Sequence, residues 1–279
     1  MIIGMRGHDF GRMEPEELAK AIAQKGFRAT QLAFTKAFPG PAETYMTAER
    51  LEAVRDVFAA QGVRVPVMGC YISASDRDEA VRADAKEKFA ACLRASVVLG
   101  ALCVGTETTH FTFEESEREA AYARLLDFMR AVVPVAEGCG AIVGIEPVAC
   151  HTLCSPEMTR RLLDDVPSAN VKIVLDMANL VTKDTCSPEA QLDILKRCLA
   201  LFGDKICVLH VKDGVFDDNG KWVARPMGEG VMDWKTLLPI LRAHDDSLCA
   251  LREGVWPGRE EEERRLIKSW VVNSLSQLR

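Results

Sequence analysis

Short apolar runs alternate with longer segments of helical period along the whole chain, and no other feature narrows the fold as much. Runs over 2–6, 28–34, 63–70, 101–106, 141–146, 171–176, 205–211 and 248–253 have the β-branched and apolar content of strands. They begin 26 to 43 residues apart, a spacing that suits βα units, in which parallel strands are joined by crossover helices. Eight such units can close a sheet on itself. The expected fold is α/β, a single (β/α)8 TIM barrel, and 279 residues suit that architecture as one domain, 1–279.

Local punctuation agrees with this division. Ser155-Pro156-Glu157 and Ser187-Pro188-Glu189 each place an N-cap serine before a first-turn proline and an acid that suits the helix dipole. Thr47 opens a further helix, and 78–99 reads as a long one. Gly26, Gly62, Gly100 and Gly203 stand where helices should stop. Pro66 is discordant: a proline cannot donate to a sheet ladder, so the third strand is expected to bend or pair irregularly. Residues 213–234, with Gly214, Asn219, Gly220, Pro226, Gly228 and Gly230, are too long and polar for a minimal connection. They predict an elaborated loop on the barrel's carboxyl-end face.

Composition excludes several classes of partner. A formal charge of -6 gives no basic field for a phosphate backbone, so no nucleic-acid partner is expected. No window approaches 18 uninterrupted apolar residues, and Met1–Gly11 shows no basic region followed by an apolar stretch, so neither a membrane partner nor a secretory leader is expected. The ten cysteines lack a framework of paired spacings and read as reduced core thiols, which places the chain in the cytoplasm.

The last four runs end in Glu146, Asp176, His210 and Glu253. A lone polar residue at a strand end is commonly a solvated loop side chain, but four on consecutive barrel strands converge on one point of the rim. Three carboxylates and an imidazole suit a divalent cation. Further substrate-contacting candidates are His8 beside Asp9, Glu107 with His110, Lys212 and Arg225. Their structural alternatives are an Asx-type turn, N-capping of a helix starting near Thr112, an ion pair, and a solvated loop arginine beside Glu229. Cys150, His151 and Cys154 look like part of a zinc site without a fourth ligand, and structural thiols are the preferred reading. Trp222, Trp234 and Trp256 serve either as a wall against a sugar ring or as packing anchors.

The segments IVGIEPV, VLDMANL, VLHVKDG, PMGEGVMDW and LREGV resemble the sugar phosphate isomerase/epimerase family of xylose isomerase-like barrels, which includes ketose 3-epimerases and inosose dehydratases. The resemblance implies a divalent metal held by Glu146, Asp176, His210 and Glu253. Asn179 stands where many ketose epimerases carry a histidine three residues after the aspartate, which implies an altered substrate contact. The expected activity is that of a metal-dependent isomerase or epimerase of a small sugar, ketose or related hydroxy-ketone. Glu146 and Glu253 would be its catalytic residues, exchanging a proton beside a chelated carbonyl. An inosose-type dehydratase is the alternative on the same residues. An endonuclease IV-like phosphodiesterase fits poorly with five histidines and an acidic balance, and a non-catalytic sugar-binding barrel is the remaining class. Manganese is the preferred metal, with magnesium, cobalt and zinc open. The expected partner is a small carbohydrate, and homo-oligomerisation is left open.

Overall fold

Each of the eight expected runs forms a strand in a computed structural model of the chain, which describes residues 1–111 and 114–272. The strands are β1 (Ile2–Arg6), β2 (Ala29–Leu32), β3 (Arg64–Gly69), β4 (Cys103–Glu107), β5 (Val143–Glu146), β6 (Val171–Asp176), β7 (Ile206–Val211), β8 (Asp213–Phe216), β9 (Trp222–Arg225) and β10 (Cys249–Arg252). All but β8 and β9 pair in the closed order β1-β10-β7-β6-β5-β4-β3-β2, and every barrel pairing is parallel. The chain is thus a (β/α)8 TIM barrel. Both faces of such a sheet are covered, which is why its strands read as continuous apolar runs. Ala29, Val67, Cys103, Val174, Val208, Cys249 and Leu251 pack together, one buried cluster drawn from six barrel strands.

The expected helix starts form as capped turns. The hydroxyls of Thr47, Ser155 and Ser187 accept from the backbone N–H of Arg50, Met158 and Ala190, and Asp78 caps Ala80 in the same way. The helix start expected near Thr112 lies outside the described residues; the following helix spans Arg118–Cys139. Gly203 ends its helix without a left-handed turn, having φ -53. Its lack of a side chain instead makes room for the imidazole of His244, 2.8 Å from where a Cβ would sit.

Pro66 lies inside β3, where the β2–β3 register passes from Ala29↔Arg64 to Gln31↔Val67. Three steps on β3 oppose two on β2, so the irregularity falls at the residue that has no ladder donor. The segment 213–234 is more ordered than a loop, because β8 and β9 form an antiparallel hairpin directly after β7. Asp217, Asn219 and Gly220 close it, with Asp217 Oδ1 accepting from Asn219 and Lys221 N–H.

Candidate metal and substrate site

Register sets the polar strand ends at matched heights. Asp176 pairs with His210 across β6–β7, and Glu107 with Glu146 across β4–β5. Alternation along the chain then sorts the residues from the end of β7 into β8. His210 and Lys212 turn to the barrel mouth, while Asp213 turns behind it and accepts backbone N–H groups from Gly214, Gly228, Gly230 and Met232 at 2.8–3.2 Å. A side chain at Gly230 would fall on that carboxylate, which accounts for glycine there.

The rim cluster is buried and closely coupled. His210 Nδ1 lies 3.1 Å from Glu146 Oε2 and 3.4 Å from Glu253 Oε1. Lys212 Nζ lies 3.0 Å from Asp176 Oδ2 and 3.5 Å from Glu253 Oε2. Asn179 joins the two halves: its Nδ2 donates to Glu146 Oε1 and its Oδ1 accepts from Lys212 Nζ, both at 2.6 Å. Asp176 Oδ1 is fixed by the backbone N–H of Ala178 and Asn179.

Burial raises the carboxyls of Glu146 and Glu107, and lifts Asp176 to about 6 against the attraction of Lys212. Burial pushes Glu253 the same way, but His210, Lys212 and Arg6 outweigh it and hold that group at about 2. His210 would be depressed by burial, yet the negative charges of Glu146 and Glu253 lift it to about 9.

Glu146, Asp176 and His210 each offer a ligand atom within 4.8 Å of the others. Both His210 nitrogens and Asp176 Oδ2 are buried without a hydrogen bond, despite the ion-pair distances around them. Enclosed polar atoms of this kind point to a missing partner, and one imidazole with oxygen donors is a ligand set that a divalent cation accepts. Glu253 stands outside this group of three, tied instead to Lys212, His210 and, at 3.8 Å, Arg6.

The other expected site residues divide. Lys212, Asn179 and Glu107 join the cluster or its edge, with Glu107 feeling the charges of Lys212, Glu253, Asp176 and His210. His8 sits in the turn after β1, its Nδ1 buried without a hydrogen bond and its pKa lowered by burial and Arg6 to about 4. Asp9 accepts from Arg6 and from the Val255 N–H, which makes it a clamp across the β1–β10 seam. Arg225 ends β9 and donates to the neighbouring Ala224 carbonyl, and among the described residues it makes no hydrogen bond to the cluster. Trp234 is a packing anchor, fully buried and donating to the Lys212 carbonyl at 2.9 Å. Trp222 is half-buried, and Trp256 is 41% exposed. Cys150, His151 and Cys154 form no metal-ligand group among the described residues; His151 instead bridges to His110.

Three neighbours of the cluster escaped the sequence reading. Tyr71, two residues past β3, is held as a neutral phenol by burial and by the charges of Glu253, Glu146 and Glu107. Gln31 donates to its hydroxyl. Arg6 pairs with both Asp9 and Glu253. A polar residue such as Gln31 inside an apolar strand is the one local signal that pointed here.

A closed α/β barrel with a buried carboxylate–imidazole cluster at its carboxyl-end rim defines a class with many enzymes. The chain belongs to the xylose isomerase-like TIM barrel family, whose model matches residues 19–270. A solved D-tagatose 3-epimerase-like protein superposes with TM-score 0.79 at 15% identity, over 100% of each chain. A D-psicose 3-epimerase determined in the presence of D-fructose gives 0.71 at 17% identity, covering 97% of this chain and 98% of its own. The IolI protein with a bound zinc atom gives 0.77 at 16% identity over 99% of each chain. At these identities the likeness establishes the fold. No curated protein matches the chain in sequence. Among the described residues no helix is long and apolar enough to cross a membrane.

Proposed function

We propose that the protein is a divalent-metal-dependent isomerase or epimerase of a small keto sugar or related hydroxy-ketone. The observation that carries this reading is the enclosed cluster in which both His210 nitrogens and Asp176 Oδ2 lack hydrogen bonds. Glu146, Asp176 and His210, with Glu253 beside them, would hold the metal. A bound cation of this kind supplies electrophilic polarisation of a carbonyl and stabilises negative charge developing on its oxygen. The epimerase neighbours and the zinc-bound IolI protein support the reading, the latter favouring zinc among the ions left open beside manganese.

The chain's own groups carry the proton chemistry. Glu146 and Glu253 end strands separated by β6 and β7, so they flank a ligand from two sides of the mouth. In an epimerisation one carboxylate takes the proton beside the carbonyl and the other returns one to the opposite face, the order depending on which epimer is bound. Lys212 orients Asp176 and Glu253 and offers an N–H donor to a substrate oxygen. Tyr71 and Gln31 bond to each other beside the cluster, and Trp234 holds the backbone carbonyl of Lys212. His8 and Glu107 are proposed substrate contacts, and Arg225 a more distant one on the hairpin. Four buried thiols as packing groups support a reducing, cytoplasmic setting.

Metal analysis followed by a ketose panel in deuterated water tests the reading. Carbon-bound deuterium is expected, with a loss of at least about a hundredfold for Glu146→Gln or Glu253→Gln. Full turnover by either metal-replete variant would sink the assignment. Loss of water from the substrate would point instead to dehydration on the same residues.

A further inference from the structure

Beside Asn179 opens a cavity of about 540 Å³ lined mainly by apolar groups. Its floor is Val148, Ala149, Ala178 and Val181, and its wall is the cross-strand pair Phe216 and Trp222 of the β8–β9 hairpin. The two rings meet edge to face with centroids 5.2 Å apart. Trp222 lies across Gly214, where a Cβ would come within 2.5 Å of the indole. The hairpin tip is tied down as well, since Lys183 Nζ donates to the Asp218 carbonyl at 2.9 Å. The wall is therefore built in place before any ligand arrives.

This volume falls in the range of about 300–1,000 Å³ typical of pockets for drug-sized ligands. It adjoins the rim cluster without belonging to it: Asn179 lines the cavity and also bonds Glu146 and Lys212. A ketose whose carbonyl lay at the cluster would project its far end past Asn179 toward the aromatic pair. A free monosaccharide has nothing to place there. A ring with a C–H face does, because aromatic walls take up such faces through apolar contact.

We propose that this cavity is a second subsite and that the substrate is a keto sugar bearing another ring, a glycosylated ketose being the simplest case. The inference rests on the keto-sugar reading of the cluster and adds the substrate's size and shape. Ketose disaccharides that keep the carbonyl free, such as isomaltulose, maltulose and lactulose, probe it against D-fructose.

Two readouts are needed on metal-loaded protein: calorimetric Kd values, and deuterium incorporation from deuterated water. At least one disaccharide should bind roughly tenfold more tightly than D-fructose and have the higher kcat/KM. Trp222→Ala should bring that ratio close to one by removing the wall. Ala149→Trp should do the same by filling the cavity while leaving the hairpin intact. If the disaccharides bind better and both substitutions erase the advantage, but no sugar exchanges, the reaction assignment fails and the subsite stands. If D-fructose exchanges, and neither substitution alters its ratio to the disaccharides, the subsite is overturned and the reaction stands. Failure of all four sugars to bind would also overturn it.

Discussion

Asn179 shows how one residue can reorganise a site that register has already assembled. Its amide bonds Glu146 with one end and Lys212 with the other, both at 2.6 Å, so it links the imidazole side of the cluster to the ammonium side. Asn179→Leu keeps roughly the same shape and removes both bonds. A hydrogen bond to a charged group contributes about 1.5–3 kcal/mol, so kcat/KM on a turned-over ketose should fall roughly 10–150-fold. A value within twofold of wild type would show that Glu146 needs no such tether. His151 gives a second residue-level prediction, this time for stability. Burial lowers its folded pKa to about 4, against 6.5 for the free side chain. Between those values the unfolded chain binds a proton that the folded one refuses, so this contribution is complete above pH 6.5 and is lost as pH falls toward 4. Thermal melts of His151→Gln should therefore decline less steeply than wild type over that window. Parallel pH profiles would rule the argument out.

At the scale of elements, the loop following β9 depends on a single carboxylate. Asp213 collects four backbone N–H groups from 214–232, and Gly230 is kept free of a side chain for it. Asp213→Ala would leave the buried donors of Gly214 and Met232 unpaired, at about 1–3 kcal/mol each before relaxation or rehydration, and release the part-buried ones of Gly228 and Gly230 to water. A lowered urea midpoint is expected, with protease cutting focused on 226–232; an unchanged midpoint would mean that water substitutes freely. The strands were legible in the sequence because buried parallel strands are continuous apolar runs, and Glu146, Asp176 and His210 were legible because each closes such a run. The β8–β9 hairpin was not. Its strands, DGVF and WVAR, are four residues each and too short to establish a period, although Asn219-Gly220 marked a turn. Arg6 and Tyr71 were hidden for another reason: they reach Glu253 only because the barrel closes β1 beside β10 and brings β3 to the same rim. No spacing in the chain carries that information.

Closure of the whole molecule converges on one buried ion pair. Arg252 Nε lies 2.7 Å from Glu263 Oε2, and both side chains are 1% exposed. Arg252 ends β10, faces away from the mouth and donates to the Glu253 carbonyl, so it braces the backbone that presents Glu253. Glu263 belongs to the helix Glu260–Val272, and its other oxygen accepts from Met227 N–H in the glycine-rich loop. The pair thereby ties the final strand, the final helix and the loop after β9 together at the β1–β10 seam. Glu263→Gln leaves a buried guanidinium without its counter-charge, and removing one partner of such a pair typically costs about 3–5 kcal/mol. Replacing both groups, as Arg252→Met with Glu263→Leu, removes the unpaired charge and should recover most of that loss, since apolar substitutes for buried pairs are often neutral or stabilising. The double variant still lacks the donor to the Glu253 carbonyl. Urea denaturation should therefore rank the double variant well above Glu263→Gln, while solvent deuterium exchange into a ketose by the double variant stays below wild type. If the double variant matched wild type in exchange, Arg252 would be a stability element alone, with no part in placing Glu253.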